Sequence, residues 1–259
     1  MYNTNIPTLS LTNKVIIIVS GVCLILQSIL SLTGAGIGLQ TYFGLSYNGI
    51  LGGHLYQLLL YPFFQSDLIG FIFNALILWM MGSEFEQQWG RPFYAAMLGF
   101  STLLAALVYL GVVALFFAND ALARQIPMMG LTGLSSAILV IYSVLYGERI
   151  LSFMLLFPMK AKYFCWILLG MELYIGIFSR HARSSWGHLG AMLGGFLFIM
   201  FAPKLRVLMN RHGFGGGGRG GGRTLSNRGS STKESHLRLV KPQADEERLS
   251  DDNTPKYWQ

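Results

Sequence analysis

The chain has 259 residues, of which 53% are hydrophobic and only 12% charged, a composition too apolar for an ordinary soluble domain. Its formal charge of +7 is unevenly spread: residues 1–203 hold eight Lys/Arg against six Asp/Glu, and residues 204–259 hold eleven against six. The basic surplus therefore belongs to the tail and says little about a nucleic-acid site in the apolar part. Both cysteines, Cys23 and Cys165, lie in apolar runs without metal-ligand spacing, so no metal and no cofactor is expected.

Taken in order, the apolar runs give six expected spans at about 14–34, 68–88, 93–117, 134–147, 163–178 and 185–203. The first is too long for a secretory signal, and only Lys14 precedes it. Between the first two runs lies a loop, 35–67, whose Leu55 to Phe64 stretch is half hydrophobic and too short to cross. Ile150 to Phe157 is a second short apolar piece. Basic residues fall in an alternating pattern. Lys14, Arg91, Arg149, Lys160, Lys162 and the tail share one side, Arg124, Arg180 and Arg183 the other, and loop 35–67 has no Lys or Arg. The positive-inside rule then gives N-in and C-in, in agreement with an even number of spans. From Gly213 onward a Gly/Arg-rich segment gives way to Ser, Lys, Glu and Asp, a composition that cannot bury enough surface to order itself. The expected architecture is an all-α membrane protein, with a six-helix membrane domain over 1–203 and a disordered cytoplasmic tail over 204–259. Gly/Arg-rich segments can bind RNA or anionic lipid, but a plain solvated tail is the expectation, with no nucleic-acid partner.

The depth of the polar residues points to chemistry. From Ser135 to Gly147 the fourth span rises ~18 Å, well short of a ~30 Å hydrocarbon core. Ser135 is therefore expected roughly 10 Å below the outer surface, reached by a dipping loop containing Gly130 and Gly133. A loop at that depth needs protein or water around it. His188, five residues after Arg183, lies ~7–8 Å down the sixth span, and Asn74, seven after Asp67, ~10 Å down the second. All three descend from one side to one level. A serine and a histidine so placed can form a nucleophile and general-base pair. Backbone N–H groups at the helix start, Ser135's among them, would stabilise an oxyanion, and the Asn74 amide would add a donor. No carboxylate is expected at that depth near either residue, which suggests a dyad; Glu172, inside the fifth span, has no evident partner. A membrane serine more often just bonds a backbone carbonyl, as Ser101, Ser136 and Ser143 are expected to do, whereas an intramembrane histidine is by default functional. Gly187, Gly190, Ala191, Gly194 and Gly195 give the sixth span a small-residue face against which a neighbouring helix can pack closely.

These residues resemble the rhomboid family of intramembrane serine proteases. Gly133-Leu134-Ser135-Ser136 is similar to its G-x-S-x nucleophile motif, and His188 followed by Ala191 and Gly195 resembles its histidine with small residues at three and seven. The second span, from Phe73-Asn74 to Glu86 and Gly90, looks like the family's span ending in E-x-x-x-G. The likeness covers about 12–203. It implies a Ser135–His188 dyad, oxyanion and substrate stabilisation involving Asn74 and Gly133 with the Ser135 N–H, and cleavage of single-span membrane proteins near their outer ends. Four positions depart from the family pattern: Gly70 where many members carry a histidine, Tyr56-Gln57 for Trp-Arg, and Leu139 for an aromatic that packs on the histidine. Thr132 is a second hydroxyl in a similar setting. The rival reading is an inactive, derlin-type rhomboid-like protein that binds membrane segments. A transporter would show inverted repeats, and none is visible. Short loops and compactness suggest a bacterial plasma membrane.

Overall fold

The computed structural model describes residues 8–32, 36–151, 159–179 and 182–211, with no side-chain description for 36, 37, 151, 182 and 202–211. It is a helical bundle. Five helical segments are long and apolar enough to cross a membrane: Leu11–Ser31, Leu68–Trp89, Arg91–Phe116, Ala161–Phe178 and Arg183–Phe201. The remaining expected span is the helix Thr132–Tyr146, which at 15 residues is shorter than the crossing length. The chain is an integral membrane protein.

The first long helix, α1 (Leu11–Ser31), leads to three short helices of the expected loop, α2 (Gly36–Phe43), α3 (Tyr47–Leu51) and α4 (Gln57–Leu60). A 3-10 turn follows at Tyr61–Phe63. Leu55 to Phe64 does not cross; it packs on the bundle, with the buried Tyr61 hydroxyl donating to Thr102 O at 3.1 Å. Gln57, one of the departures from the family pattern, is fully buried and organises this loop. Its Oε1 accepts from Ser46 N at 3.2 Å and its Nε2 donates to Tyr42 O at 2.9 Å. Two neutral acceptor–donor bonds satisfy a side chain that would otherwise be costly to bury.

The second crossing segment combines α5 (Leu68–Ile77), a π-helical turn (Leu78–Gly82) and α6 (Ser83–Trp89). Asp67 caps α5, accepting from Gly70 N at 2.5 Å. A Cβ at position 70 would lie 2.9 Å from the Asp67 carboxylate, so a side chain there would require that carboxylate to shift. The E-x-x-x-G stretch has a structural role. Glu86 is buried and accepts Thr12 N on both oxygens, at 3.2 and 3.1 Å, which caps the start of α1. Gly90, at φ 85°, ends α6 and turns the chain into α7 (Arg91–Phe116).

Beyond α7, α8 (Ala121–Gln125) precedes the loop into α9 (Thr132–Tyr146). A two-residue antiparallel ladder, β1 (Ile150–Leu151) with β2 (Met159–Lys160), joins α9 to α10 (Ala161–Phe178). Most of the expected apolar piece Ile150–Phe157 lies outside the described residues. The last helix, α11 (Ala182–Arg211), continues past 203; residues 212–259, including nearly all of the expected tail, are also outside them. The core lies where α11 packs on α7 and α9. Its glycines set the distance: a Cβ at Gly190 would fall 2.7 Å from Val108 Cβ, at Gly194 2.9 Å from Ser101 Cα, and at Gly195 2.9 Å from Ala137 O.

Candidate active site

The loop 126–131 dips into the bundle and is held there by the first loop. Leu45 and Met128 exchange backbone bonds at 2.9 and 2.8 Å, and Gly130 N donates to Tyr61 O at 3.2 Å. Gln65 Oε1 accepts Leu131 N at 3.4 Å. Non-helical backbone is tolerated at this depth because protein satisfies it. Gly130, at φ 106°, makes the final turn into α9.

Ser135 is 2% exposed, one turn into α9. Its hydroxyl donates toward Asn74 Oδ1 at 2.6 Å, with Thr132 O at 3.0 Å as a second acceptor. Asn74, on α5, is also buried, and its Nδ2 donates to Thr132 Oγ1 at 3.2 Å. The structure thus brings Asn74, Thr132 and Ser135 together, from segments about sixty residues apart. Toward the serine the Asn74 amide oxygen accepts, and its Nδ2, the group expected to meet an oxyanion, is turned to Thr132. The amide lies between two hydroxyls, each able to donate or accept, so the reversed orientation is equally satisfied.

The Ser135 N–H also departs from expectation. It donates to Leu131 O at 2.9 Å and is therefore occupied. The reason is the helix start: α9 begins at Thr132, so Ser135 already finds an acceptor four residues back. The first-turn N–H groups of Thr132, Gly133 and Leu134 lack such intrahelical acceptors.

His188, on α11, faces the same turn. A Cβ at Gly133 would lie 3.9 Å from His188 Cδ2 and 3.4 Å from Ala191 Cβ, so the imidazole and the small residue one turn on pack against the start of α9. The ring does not hydrogen-bond Ser135 in this arrangement, since the serine hydroxyl turns to Asn74. Its Nδ1 instead lies 3.0 Å from Glu172 Oε1, on α10. That overturns the expectation that no carboxylate approaches the site. Run lengths give depth but not which helices are lateral neighbours. With Nδ1 on Glu172 and Cδ2 toward α9, Nε2 is the nitrogen available to a hydroxyl.

Leu139, in place of an aromatic, is buried in the core with Leu134 and Ile138. Cys23 and Cys165 are free thiols. Among the described residues no group of three or more His, Cys, Asp and Glu side chains is arranged to hold a metal. A family model described as Rhomboid domain matches residues 52–204. No curated protein matches the chain.

Proposed function

The chain belongs to the rhomboid family, and from that premise we propose that it is an intramembrane serine protease acting on single-span membrane proteins. Ser135 is the nucleophile and His188 the general base. The observation that carries this reading is the packing of the His188 ring against Gly133, on the helical turn that leads to Ser135. A turn of the Ser135 side chain to another staggered position releases Asn74 and directs the hydroxyl at the imidazole.

In the reaction the Ser135 Oγ–H proton passes to His188 Nε2 as Oγ bonds to the scissile carbonyl carbon. The resulting oxyanion is met by first-turn N–H groups, Gly133's among them, and by the Asn74 amide once its Nδ2 faces the pocket. His188 returns the proton to the departing amine, and the C–N bond breaks. Water, deprotonated by the same nitrogen, then attacks the acyl group and frees Ser135. Substrate stretches with small or helix-breaking residues suit the site, because an unwound backbone exposes its carbonyl. The distribution of basic residues supports a topology with Lys14, Arg91, Arg149, Lys160, Lys162 and both termini on the cytoplasmic side, and a bacterial plasma membrane is the proposed setting.

A second reading, an inactive derlin-type protein that holds membrane segments, is favoured by one observation: the Ser135 hydroxyl and N–H are both engaged away from His188. Purified protein with a generic single-span substrate separates the two. The protease reading expects Ser135→Ala and His188→Ala each to lower cleavage by ~10³-fold or more, and fluorophosphonate labelling to vanish in Ser135→Ala. Equal cleavage by all three proteins rejects the dyad and leaves the binding role.

A further inference from the structure

Glu172 is a carboxylate in the middle of an apolar helix, 8% exposed, where a charge is costly. Its Oε1 meets His188 Nδ1 at 3.0 Å, and its Oε2 is buried with no hydrogen-bond partner. One turn further along α10, Gly176 O accepts from Trp186 Nε1 at 3.0 Å. A Cβ at Gly176 would lie 3.4 Å from that indole, an ordinary contact, so the ring packs directly on this turn of α10. These two bonds fix the register of α10 on α11 and aim the carboxylate at the imidazole.

We propose that Glu172 is a positioning residue for His188, extending the pair to a Ser135–His188–Glu172 triad; this rests on the protease reading above. The carboxylate accepts the Nδ1–H, which holds the imidazole in the tautomer whose Nε2 lone pair faces α9. When the Ser135 proton arrives at Nε2, the same carboxylate stabilises the imidazolium and keeps its own charge. A plain tie between helices does not explain the choice of residue. Among the described residues the other buried carboxylate tie, Glu86, meets backbone N–H at a helix start with Arg91 3.4 Å away, and the ties without a cation are neutral amides: Gln27 Nε2 to Gln65 O at 3.0 Å, Gln57 to the 41–46 loop, and Asn13 to Tyr94 at 2.8 Å. A glutamine at 172 would give the same length and one hydrogen bond at lower desolvation cost. What it lacks is charge.

The test compares wild type, Glu172→Gln, Glu172→Asp and Ser135→Ala, each checked for monodispersity in detergent. A glutamine can turn its amide N–H toward Nδ1 and so force the proton onto Nε2, the wrong tautomer for a base. Expected are a fall in kcat of at least ~10-fold in Glu172→Gln with KM little changed, and a higher kcat in Glu172→Asp, which retains the charge. In parallel, ¹⁵N spectra of histidine-labelled protein, with His188 assigned by His188→Ala, should show Nδ1–H in wild type and its loss in Glu172→Gln. A purely structural tie predicts the opposite ranking, with the isosteric glutamine near wild type and the shorter aspartate worse, and that ranking overturns the proposal. Wild type no faster than Ser135→Ala would instead remove the protease reading, and the role of Glu172 in it; cleavage intact in Glu172→Gln removes only the latter.

Discussion

The helices of this bundle are held in two different ways. Of the crossing segments, α7 and α11 bury 39% and 44% of their apolar windows inside the protein, whereas α1 and α10 bury 11% and 17%. The first two, with α9, touch through glycines and alanines and are fixed by shape. The other two present apolar flanks to lipid and are fixed by a few directed bonds: Glu86, Asn13 and Ser83 for α1, Glu172 and Trp186 for α10. In lipid no hydrophobic force drives helix association, so close fit and hydrogen bonds are the means available. The consequence for the site is a division of labour. Ser135 and His188 ride on the shape-fixed helices, while the proposed orienting carboxylate rides on one held by hydrogen bonds.

If that contrast is right, the same kind of substitution should have opposite outcomes on the two classes. Gly190→Val pushes side-chain atoms into Val108 and toward Ala105 Cα, 3.2 Å from the new Cβ, and should cost about 3 kcal/mol, read as a lower unfolding temperature in detergent. Next in size is Glu86→Ala. It leaves the Thr12 N–H and the Arg91 guanidinium, 3.4 Å away, without their acceptor, and should cost about 2 kcal/mol, with the N-terminal helix becoming open to added protease. Smaller still is Gly170→Ala on α10, where nothing lies within 4 Å of the new Cβ. It should leave stability unchanged or raise it by up to ~1 kcal/mol through helix propensity. A large loss in Gly170→Ala, or none in Gly190→Val, would erase the distinction.

Much of this is legible in the amino-acid sequence. Run lengths located the spans, and counting residues from the nearest charged flank put Asn74, Ser135 and His188 at one level. The same counting applied to Glu172, eight residues before Arg180, gives ~12 Å, close to the histidine's level. That signal was present, but depth alone could not say that α10 lies beside α11 with the carboxylate turned toward the ring. The occupied N–H of Ser135 was hidden for a different reason. It depends on α9 starting at Thr132, and a helix boundary is uncertain by more than the three residues that decide the matter. Gln57 shows a third kind of limit. As a departure from a family pattern it suggested loss, yet its amide fills the loop's donor and acceptor needs, which only the folded loop reveals.

The weakest predicted effect concerns the far end of α10. There the exposed Glu148 carboxylate accepts from Lys160 at 2.7 Å and from Lys162, tying the end of α9 to the start of α10. Those two hydrogen bonds hold its pKa down from 4.5 to about 2. A carboxyl with a lower pKa folded than unfolded stabilises the fold above the unfolded value, and that contribution disappears as pH falls through the folded one. The window is therefore about pH 4.5 down to about 2. Because the group faces solvent, screening keeps the effect small and makes it shrink with added salt. Unfolding temperatures followed across that window should drop slightly further in wild type than in Glu148→Gln, and the difference should close at high ionic strength. Parallel curves at low salt would mean that these ion pairs do not hold α10, leaving its register to Glu172, Trp186 and the backbone bonds of Ala161 and Lys162 to Arg149 and Gly147.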